Sequence, residues 1–223
     1  MSKMQYDFSV ENLGECKIHS PIELSLEHGT FRAAYVKDTS AVRYHVNVFA
    51  DGEQVPDDKS NLMEKAGPRE YIYFNPQHVT AGICTCGGLC PGLNDVIRAI
   101  VRCLWNRYGV RRIRGVRFGY KGFFTEQGYD TVELNPDNVD TIHKIGGSFL
   151  GTSRGGGDRV SDIVDSIERL NINVMFIIGG DGTITVEGTT HIYNTTWSGF
   201  YLGLEVEKQM TLSDKLRFYA QVS

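Results

Sequence analysis

Between residues 78 and 183 the chain alternates short apolar runs, glycine-rich turns and amphipathic segments. The apolar run of residues 79–85 predicts a buried β-strand. A helix face follows it, formed by Val96, Ile97, Ile100, Val101, Leu104 and Trp105. These residues recur at helical spacing, and Gly109 is the predicted end of the helix. Ile113, Val116 and Phe118 predict the next strand.

The same alternation continues towards residue 183. Asn135-Pro136-Asp137 predicts the start of a short helix that runs through Ile142. Another helix, with Asp158 as its predicted N-cap, carries Val160, Ile163, Val164, Ile167 and Leu170. Residues 173–178 predict a strand buried on both faces. Alternating strands and helices favour an α/β fold with a doubly wound parallel sheet, whose ligands bind beyond the carboxyl ends of the strands.

The flanking segments have other patterns. Residues 42–49 alternate apolar and polar positions and predict a strand, and the polar residues 56–68 predict a loop. After Thr183 the β-branched residues are poor helix formers, so the sheet is expected to stay incomplete at its C-terminus. The predicted organisation is an N-terminal extension (1–76), a central α/β domain (77–183) and an atypical tail (184–223).

Composition limits the classes of function. With 223 residues, 41% of them apolar, and a net charge of −4, the chain is expected to fold and not to bind nucleic acid. It has no apolar run long enough for a membrane span and no secretory leader pattern. Its five cysteines suit reduced thiols in the cytoplasm. The set Cys84, Cys86 and Cys90 allows a zinc site as an alternative, although no second ligand pair lies nearby.

A run of basic residues qualifies the charge argument. Eight basic residues and no acidic one lie between Arg98 and Lys121. Some nucleic-acid-binding proteins have such runs. The favoured interpretation places Arg98, Arg102 and Arg107 on the solvated face of an amphipathic helix. The remaining arginines of the run then mark a turn and a strand edge: Arg111, Arg112 and Arg114.

Glycine is concentrated in the central segment. Of the 25 glycines, 18 lie between Gly82 and Gly182, in groups near the ends of predicted strands. Clustered glycines let backbone N–H groups approach an anion closely. The group within residues 87–94 also opens a helix, whose N-terminus attracts anions, although its spacing is neither G-x-G-x-x-G nor Walker. The pattern therefore predicts a phosphate-binding edge of the sheet.

Two side chains add charge to these turns. Asp181 lies between glycines directly after the strand predicted at residues 173–178, where its carboxylate can bind Mg²⁺. The alternative is an aspartate that caps a tight turn. Arg154 can donate two hydrogen bonds to phosphate oxygens, or it can be an ordinary surface arginine in a mobile loop.

Three motifs, taken together and in order, resemble the nucleotide-binding half of 6-phosphofructokinases. They are Gly87-Gly88-Leu89-Cys90-Pro91-Gly92-Leu93-Asn94, Gly146-Gly147-Ser148-Phe149-Leu150-Gly151-Thr152-Ser153-Arg154-Gly155 and Gly179-Gly180-Asp181-Gly182-Thr183. The chain is most similar to the atypical ATP-dependent branch related to pyrophosphate-dependent enzymes, whose loop after the second strand resembles Phe118-Gly119-Tyr120-Lys121-Gly122. NAD kinases and diacylglycerol kinases share the third motif but lack the first two. The resemblance covers about residues 70–183.

The resemblance implies a Mg²⁺-dependent glycolytic kinase of the cytoplasm, homo-oligomeric when full-length, that transfers a phosphoryl group from ATP to fructose 6-phosphate. The implied nucleotide contacts are Gly88, Arg154, Gly155, Gly180, Asp181, Gly182 and Thr183. Asp181 is the implied Mg²⁺ ligand. Gly182 favours ATP, since pyrophosphate-dependent members usually carry aspartate there and a carboxylate would repel the α-phosphate of ATP.

The catalytic part of the family pattern does not occur in this sequence. In the family, an aspartate in a Thr-Ile-Asp-Asn-Asp type segment beyond the third motif takes the proton from the sugar hydroxyl. Neither that segment nor the arginine motifs that bind fructose 6-phosphate is found. We therefore expect a truncated chain with an unassigned catalytic residue, nucleotide binding and negligible turnover. A pyrophosphate-dependent phosphotransferase and a non-catalytic nucleotide-binding or regulatory subunit stay open as alternatives.

Overall fold

The computed structural model describes residues 8–9, 13–24, 34–46 and 57–179, together with the backbone of residues 201–202. The chain forms two compact units and passes from the first to the second between Tyr73 and Phe74. The predicted division into an extension, a central domain and a tail stays a prediction.

The described part of the N-terminal unit contains short antiparallel strand pairs. Its strands are β1 (Ile18–His19), β2 (Ala41–Arg43), β3 (Leu62–Glu64) and β4 (Tyr71–Ile72). β1 pairs with β4, and β2 pairs with β3.

The loop predicted for residues 56–68 is wrong, because β3 lies inside it. The chain turns back where the carbonyl oxygen of Asp58 accepts a hydrogen bond from the N–H of Leu62 at 2.8 Å. The buried side chain of Asn61 then accepts a hydrogen bond from the N–H of His45, also at 2.8 Å. A three-residue strand is too short to show an alternating pattern in the sequence. Of the strand predicted at 42–49, the structure describes only residues 42–46.

The described part of the C-terminal unit contains a five-stranded sheet and two α-helices. In chain order these elements are β5 (Thr80–Thr85), α1 (Leu93–Cys103), β6 (Arg112–Val116), β7 (Val132–Glu133), α2 (Val160–Arg169), β8 (Val174–Gly179) and β9 (Tyr201–Leu202). The strand order is β7-β6-β5-β8-β9. β5 pairs in parallel with β6 and β8, whereas β7 and β9 are antiparallel edge strands. The predicted parallel α/β sheet is confirmed, with antiparallel strands added at its edges.

Helices pack on both faces of this sheet. Ile83 of β5 and Ile97 of α1 belong to one buried cluster. Met175 of β8 and Ile167 of α2 belong to another. Since side chains alternate between the faces of a strand, the two clusters lie on opposite faces, which is the doubly wound arrangement. No helix in the described ranges is long and apolar enough to cross a membrane.

The connections after β5 place the next two parallel strands, β6 and β8, on opposite sides of β5. After β5 and α1 the chain forms β6 on one flank of β5, and β8 then pairs with the opposite flank. β5 is therefore the strand at which the connections reverse, and doubly wound sheets bind their ligands beyond the carboxyl ends of the strands at such a position. The glycine turn after β5 begins at this position.

The helix predicted after β5 is confirmed, and the chain widens into a π-helical turn at its end. α1 ends at Cys103, and Leu104–Tyr108 form one π-helical turn. Gly109, at φ 75°, ends the helix and donates its backbone N–H to the carbonyl oxygen of Leu104. A left-handed glycine at this position is the usual end of a helix.

The helix predicted from Asn135 to Ile142 is wrong, although its cap forms. The Asn135 side-chain oxygen accepts hydrogen bonds from the N–H groups of Asp137 and Asn138, each at 3.0 Å. The chain then forms only a turn and a short 3₁₀ helix, Ile142–Lys144. β-branched residues at Val139, Thr141 and Ile142 and the glycine pair that follows leave too few good positions for a helix to propagate.

Two smaller expectations also differ from the structure. Asp158 does not cap α2, because the helix starts at Val160 after Arg159 and makes no side-chain cap hydrogen bond. Phe118 does not extend β6, which ends at Val116; it has the left-handed backbone angle φ 58°. Both residues lie at the edge of the sheet where the glycine turns gather.

Candidate functional site

The first glycine turn is held between two neighbouring segments. The N–H of Cys86 donates to the carbonyl oxygen of Ile178 at 2.7 Å, so the turn starts beside the end of β8. The N–H of Gly87 donates to the carbonyl oxygen of Ser153 at 2.9 Å, and the Thr152 hydroxyl donates to the carbonyl oxygen of Gly87 at 2.8 Å. These bonds tie the first motif directly to the second.

The second motif is also anchored at the end of β5. The hydroxyl of buried Thr85 donates to the carbonyl oxygen of Gly151 at 2.7 Å and lies 2.7 Å from the Ser148 hydroxyl. The loop from Ser148 to Arg154 therefore crosses the carboxyl end of the central strand, where a ligand of a doubly wound sheet is expected.

Asn94 forms a second anchor, from the first turn of α1. Its side chain is 3% exposed, its Nδ2 donates to the carbonyl oxygen of Ile145 at 2.8 Å, and its Oδ1 accepts from the N–H of Phe149 at 2.6 Å. The amide group thus binds backbone on both sides of the glycine pair Gly146-Gly147. Because its donor and its acceptor are both used, the side chain fixes this loop against the start of the helix.

The arginine of the second motif lies beside the glycine of the first. A Cβ placed on Gly88 would be 3.7 Å from Nη2 of Arg154. Arg154 is exposed, and within the described part of the chain its guanidinium has no hydrogen-bond or ion-pair partner. The backbone before it is fixed through Ser153, so this arginine is not simply at the tip of a mobile loop. The arrangement places a guanidinium that is unpaired among the described residues next to a glycine backbone, which is suitable for binding an anion.

Of the other predicted site residues, the structure describes Gly155. Gly155 follows Arg154, is exposed, and has φ 76° with open space around it. Gly179 ends β8, one strand away from the first turn. Gly180, Asp181, Gly182 and Thr183 lie outside the described residues. The structure therefore brings Gly88 and Arg154 together, and the roles of residues 180–183 stay predictions.

A separate cleft of about 210 Å³ lies between the first turn of α1 and the loop before Ser148. Its lining includes Cys90, Asp95, His143 and Lys144. None of the residues predicted to contact the nucleotide lines it. The cleft and the Gly88–Arg154 pair are therefore different features of this edge.

Two cysteines of the candidate zinc set, Cys84 and Cys86, are buried just before the first glycine turn. The sulfur atoms of Cys84 and Cys86 are 3.8 Å apart, and burial raises the pKa of the Cys84 thiol. Burial also raises the pKa of the nearby Tyr120 hydroxyl. Within the described ranges, no three His, Cys, Asp or Glu side chains gather as metal ligands. These thiols are packing residues beneath the turn.

The basic run is partly paired within the fold. Arg98 and Arg102 of α1 lie 3.4 Å and 3.2 Å from the same carboxylate oxygen of Asp140. Arg111 lies over the ring of Trp105, 4.6 Å from its centroid. These contacts agree with the interpretation that the run covers an amphipathic helix and a strand edge.

Arg159 connects α2 to the segment after β6. Its guanidinium pairs with the carboxylates of Glu126 and Asp162 and lies 3.9 Å from the ring centroid of Phe124. The hydrogen bond from Arg159 is the largest cause that lowers the pKa of the Glu126 carboxyl. The pair lies next to the Gly155-Gly156-Gly157 turn and secures its C-terminal end.

Replacing Arg159 with Gln is expected to raise the pKa of Glu126 back towards the ordinary range of a glutamate. A carboxyl whose folded-state pKa is lowered contributes stability above its unfolded-state pKa and loses it as the pH falls through the folded-state value. As the pH falls from the unfolded-state pKa of Glu126 through its folded-state pKa, the free energy of unfolding should therefore decrease less in the variant than in the unchanged chain. An NMR titration of the Glu126 carboxyl carbon measures the shift, and Asp57, paired with Arg43, is the internal control that should not move. A Glu126 pKa unchanged by the substitution contradicts the assignment.

Sequence reasoning missed the residues that hold the site together. Thr85 and Asn94 are quoted within or beside the motifs, but their hydrogen bonds join positions 66 and 55 residues apart in the chain. The only local signal was a polar residue at Asn94 in a position that the helix buries. Phe118 belongs to the loop that resembles the family, but its positive φ could not be predicted from a strand-like pattern.

The central region is similar to one protein family. The phosphofructokinase family model matches residues 80–196, which extends beyond residue 183, where the motif resemblance ended. The ATP-dependent 6-phosphofructokinase of Borreliella burgdorferi is 52% identical over 179 residues, covering 79% of this chain and 39% of that protein. The enzyme of the same name from Amycolatopsis methanolica is 45% identical over 177 residues, covering 79% and 38%. The chain thus spans less than half the length of these curated relatives.

Among solved structures, Pichia pastoris phosphofructokinase in the T-state is similar with a TM-score of 0.40 and 25% identity. The similarity covers 46% of this chain and 11% of that chain.

Proposed function

Because this chain belongs to the phosphofructokinase family, we propose that it forms the nucleotide-binding part of an ATP-dependent 6-phosphofructokinase. The names of its curated relatives support ATP as the phosphoryl donor. The whole protein would transfer the γ-phosphoryl group of MgATP to the 1-hydroxyl of fructose 6-phosphate, a step of glycolysis in the cytoplasm, as a homo-oligomer.

One observation carries the proposal for this chain. The Arg154 guanidinium, without a partner among the described residues, is held 3.7 Å from the position of a Cβ on Gly88. Phosphoryl transfer depends on positioning and on neutralising phosphate charge more than on covalent chemistry by the protein. In this arrangement Arg154 would bind phosphate oxygens while the Gly88 backbone lies against them, with Gly155 beside the nucleotide.

The remaining donor contacts are proposed for the turn after β8. Gly180 to Thr183 would line the phosphate site, and Asp181 would hold the Mg²⁺ that accompanies ATP. Its carboxylate is an oxygen donor of the type that Mg²⁺ prefers. Bound Mg²⁺ neutralises charge on the β- and γ-phosphates during transfer. Gly182 would leave room for the α-phosphate and so favour ATP over pyrophosphate.

Titration of the 223-residue chain with MgATP and, separately, with magnesium pyrophosphate tests the proposal. We expect saturable binding of MgATP and weaker binding of pyrophosphate, measured by calorimetry. A folded chain without saturable MgATP binding contradicts the proposal. Tighter binding of pyrophosphate than of MgATP overturns the choice of donor.

Replacing Gly88 with Ala is expected to weaken MgATP binding about fivefold without lowering stability, since a methyl group there would occupy space between the backbone and the phosphates. Among the described residues, the same methyl group would meet only Arg154 Nη2, at 3.7 Å. The Kd from calorimetry and the midpoint of thermal unfolding are compared for each variant.

Gly128→Ala is the matched control with the opposite expectation. Gly128 is exposed, has φ 65°, and has open space around it. Alanine in this left-handed conformation costs about 1 kcal/mol, so this variant should lose stability and keep its MgATP affinity. If both variants changed affinity in proportion to stability, Gly88 would have no specific place at the phosphates.

A further inference from the structure

Phe118 has a backbone conformation that its side chain disfavours. It follows β6 and has φ 58° and ψ 40°, in the left-handed region that a bulky residue rarely adopts. Such a conformation persists only where the surrounding contacts determine it, and residues of this kind cluster at functional sites. The contacts around Phe118 therefore need an explanation.

Two hydrogen bonds join the Phe118 backbone to the second glycine motif. Its N–H donates to the carbonyl oxygen of Leu150 at 3.0 Å. Its carbonyl oxygen accepts from the hydroxyl of Ser153 at 2.5 Å. The two bonds hold both ends of the segment that leads into Arg154.

The Phe118 ring closes the same arrangement from the side. A Cβ on Gly151 would lie 2.7 Å from Cδ1 of the ring, so only glycine allows this approach. The ring of Tyr129 packs on it with centroids 4.6 Å apart. The half-buried ring thus fills the space over Gly151 and keeps the loop from moving away from the sheet.

The opposite side of this loop carries the bonds to the first motif. Ser153 accepts the hydrogen bond of Gly87, and Thr152 donates to Gly87. The segment is therefore held between Phe118 at the end of β6 and Gly87 at the end of β5. Arg154 is the next residue, and its position beside Gly88 depends on both attachments.

We propose that Phe118 is a positioning residue that holds the Leu150–Ser153 backbone so that the Arg154 guanidinium lies beside Gly88 and can bind phosphate. The proposal rests on the proposed function for its ligand, MgATP, and on the geometry alone for its effect on the loop. Phe118 itself touches no ligand in this scheme; it acts through Arg154.

Limited proteolysis tests the effect on the loop without any ligand. Trypsin cleaves after Arg154, and the rate in the native protein reports how often this segment opens. Phe118→Gly removes the ring and relaxes the backbone, and it should raise cleavage after Arg154 at least fivefold relative to cleavage after Arg107. Phe118→Tyr keeps the ring and should behave as the unchanged chain. Ser153→Ala, a milder change that removes one bond to Phe118, should act in the same direction.

Binding experiments then test the route through Arg154. Phe118→Gly should weaken MgATP binding about fivefold when Arg154 is present. In the Arg154→Ala background the same substitution should weaken binding less than twofold, because the residue through which Phe118 acts is missing. An equal loss in both backgrounds, or an unchanged cleavage rate after Arg154 in both Phe118→Gly and Ser153→Ala, overturns the proposal. If the unchanged chain bound no MgATP, the proposed function would fail, and the proteolysis would still decide whether Phe118 positions the loop.

Discussion

Asn94→Ala is expected to lower the free energy of unfolding by roughly 2–4 kcal/mol, because it removes two hydrogen bonds from a buried position. The carbonyl oxygen of Ile145 and the N–H of Phe149 would both lose their partner. Both hydrogen bonds are partly buried, so their loss is more destabilising than the loss of an exposed hydrogen bond. Chemical unfolding followed by circular dichroism measures the change.

Asn106→Ala is the matched control for this substitution. Asn106 is exposed in the π-helical turn after α1, so the same truncation there should change stability by less than about 0.5 kcal/mol. Equal effects of the two variants would mean that the Asn94 side chain does not hold the glycine loop.

Arg154→Ala is expected to weaken MgATP binding roughly 10- to 100-fold, which is the range for losing charge-assisted hydrogen bonds to phosphate. Stability should hardly change, since the guanidinium is exposed and has no partner among the described residues. Arg154→Lys should recover only part of the affinity, because an ammonium group cannot donate the two parallel bonds of a guanidinium. Calorimetric titration with MgATP measures both variants.

Arg107→Ala controls for the loss of one positive charge. Arg107 is exposed at the end of the π-helical turn, outside both glycine motifs. MgATP affinity should therefore remain within about twofold of the unchanged chain, because exposed charges beyond a Debye length are largely screened. If Arg107→Ala and Arg154→Ala weakened binding equally, the effect would come from net charge and not from a contact.

The parts of the fold that could be predicted are those with a long local pattern. The apolar runs at residues 79–85 and 173–178 became β5 and β8, and the apolar face beginning near Val96 became α1. Each of these patterns extends over at least six residues, so its length, its periodicity and the flanking glycines together identify the element. Their alternation was also enough to predict the parallel sheet.

The parts that could not be predicted depend on contacts between distant residues. β3 is only three residues long and is positioned by the buried side chain of Asn61. The helix predicted after Asn135 has a working cap, but its Asp140 carboxylate pairs with Arg98 and Arg102 of α1 while the backbone forms a turn. Helix propensity depends only on residues that are close in the sequence, so it does not include an interaction with another helix.

In the candidate site, too, the locally patterned residues could be predicted and the distant contacts could not. The glycine groups predicted a phosphate-binding edge, and the structure brings Gly88 and Arg154 together there. What holds them is a set of hydrogen bonds made by Thr85, Asn94 and Phe118 with residues far away in the chain. Their bonds cross between strands that become neighbours only in the folded sheet, so the sequence carried no periodic signal for them.

The central claim is that this edge of the sheet binds the phosphates of ATP, and amide hydrogen exchange of the unchanged chain with and without MgATP tests it most directly. We predict that saturating MgATP slows exchange at the first glycine turn, residues 87–92, and at Ser153 to Gly155, while the amides of β2 and β3 exchange as before. No slowing at either glycine turn under conditions where MgATP is bound would contradict the account.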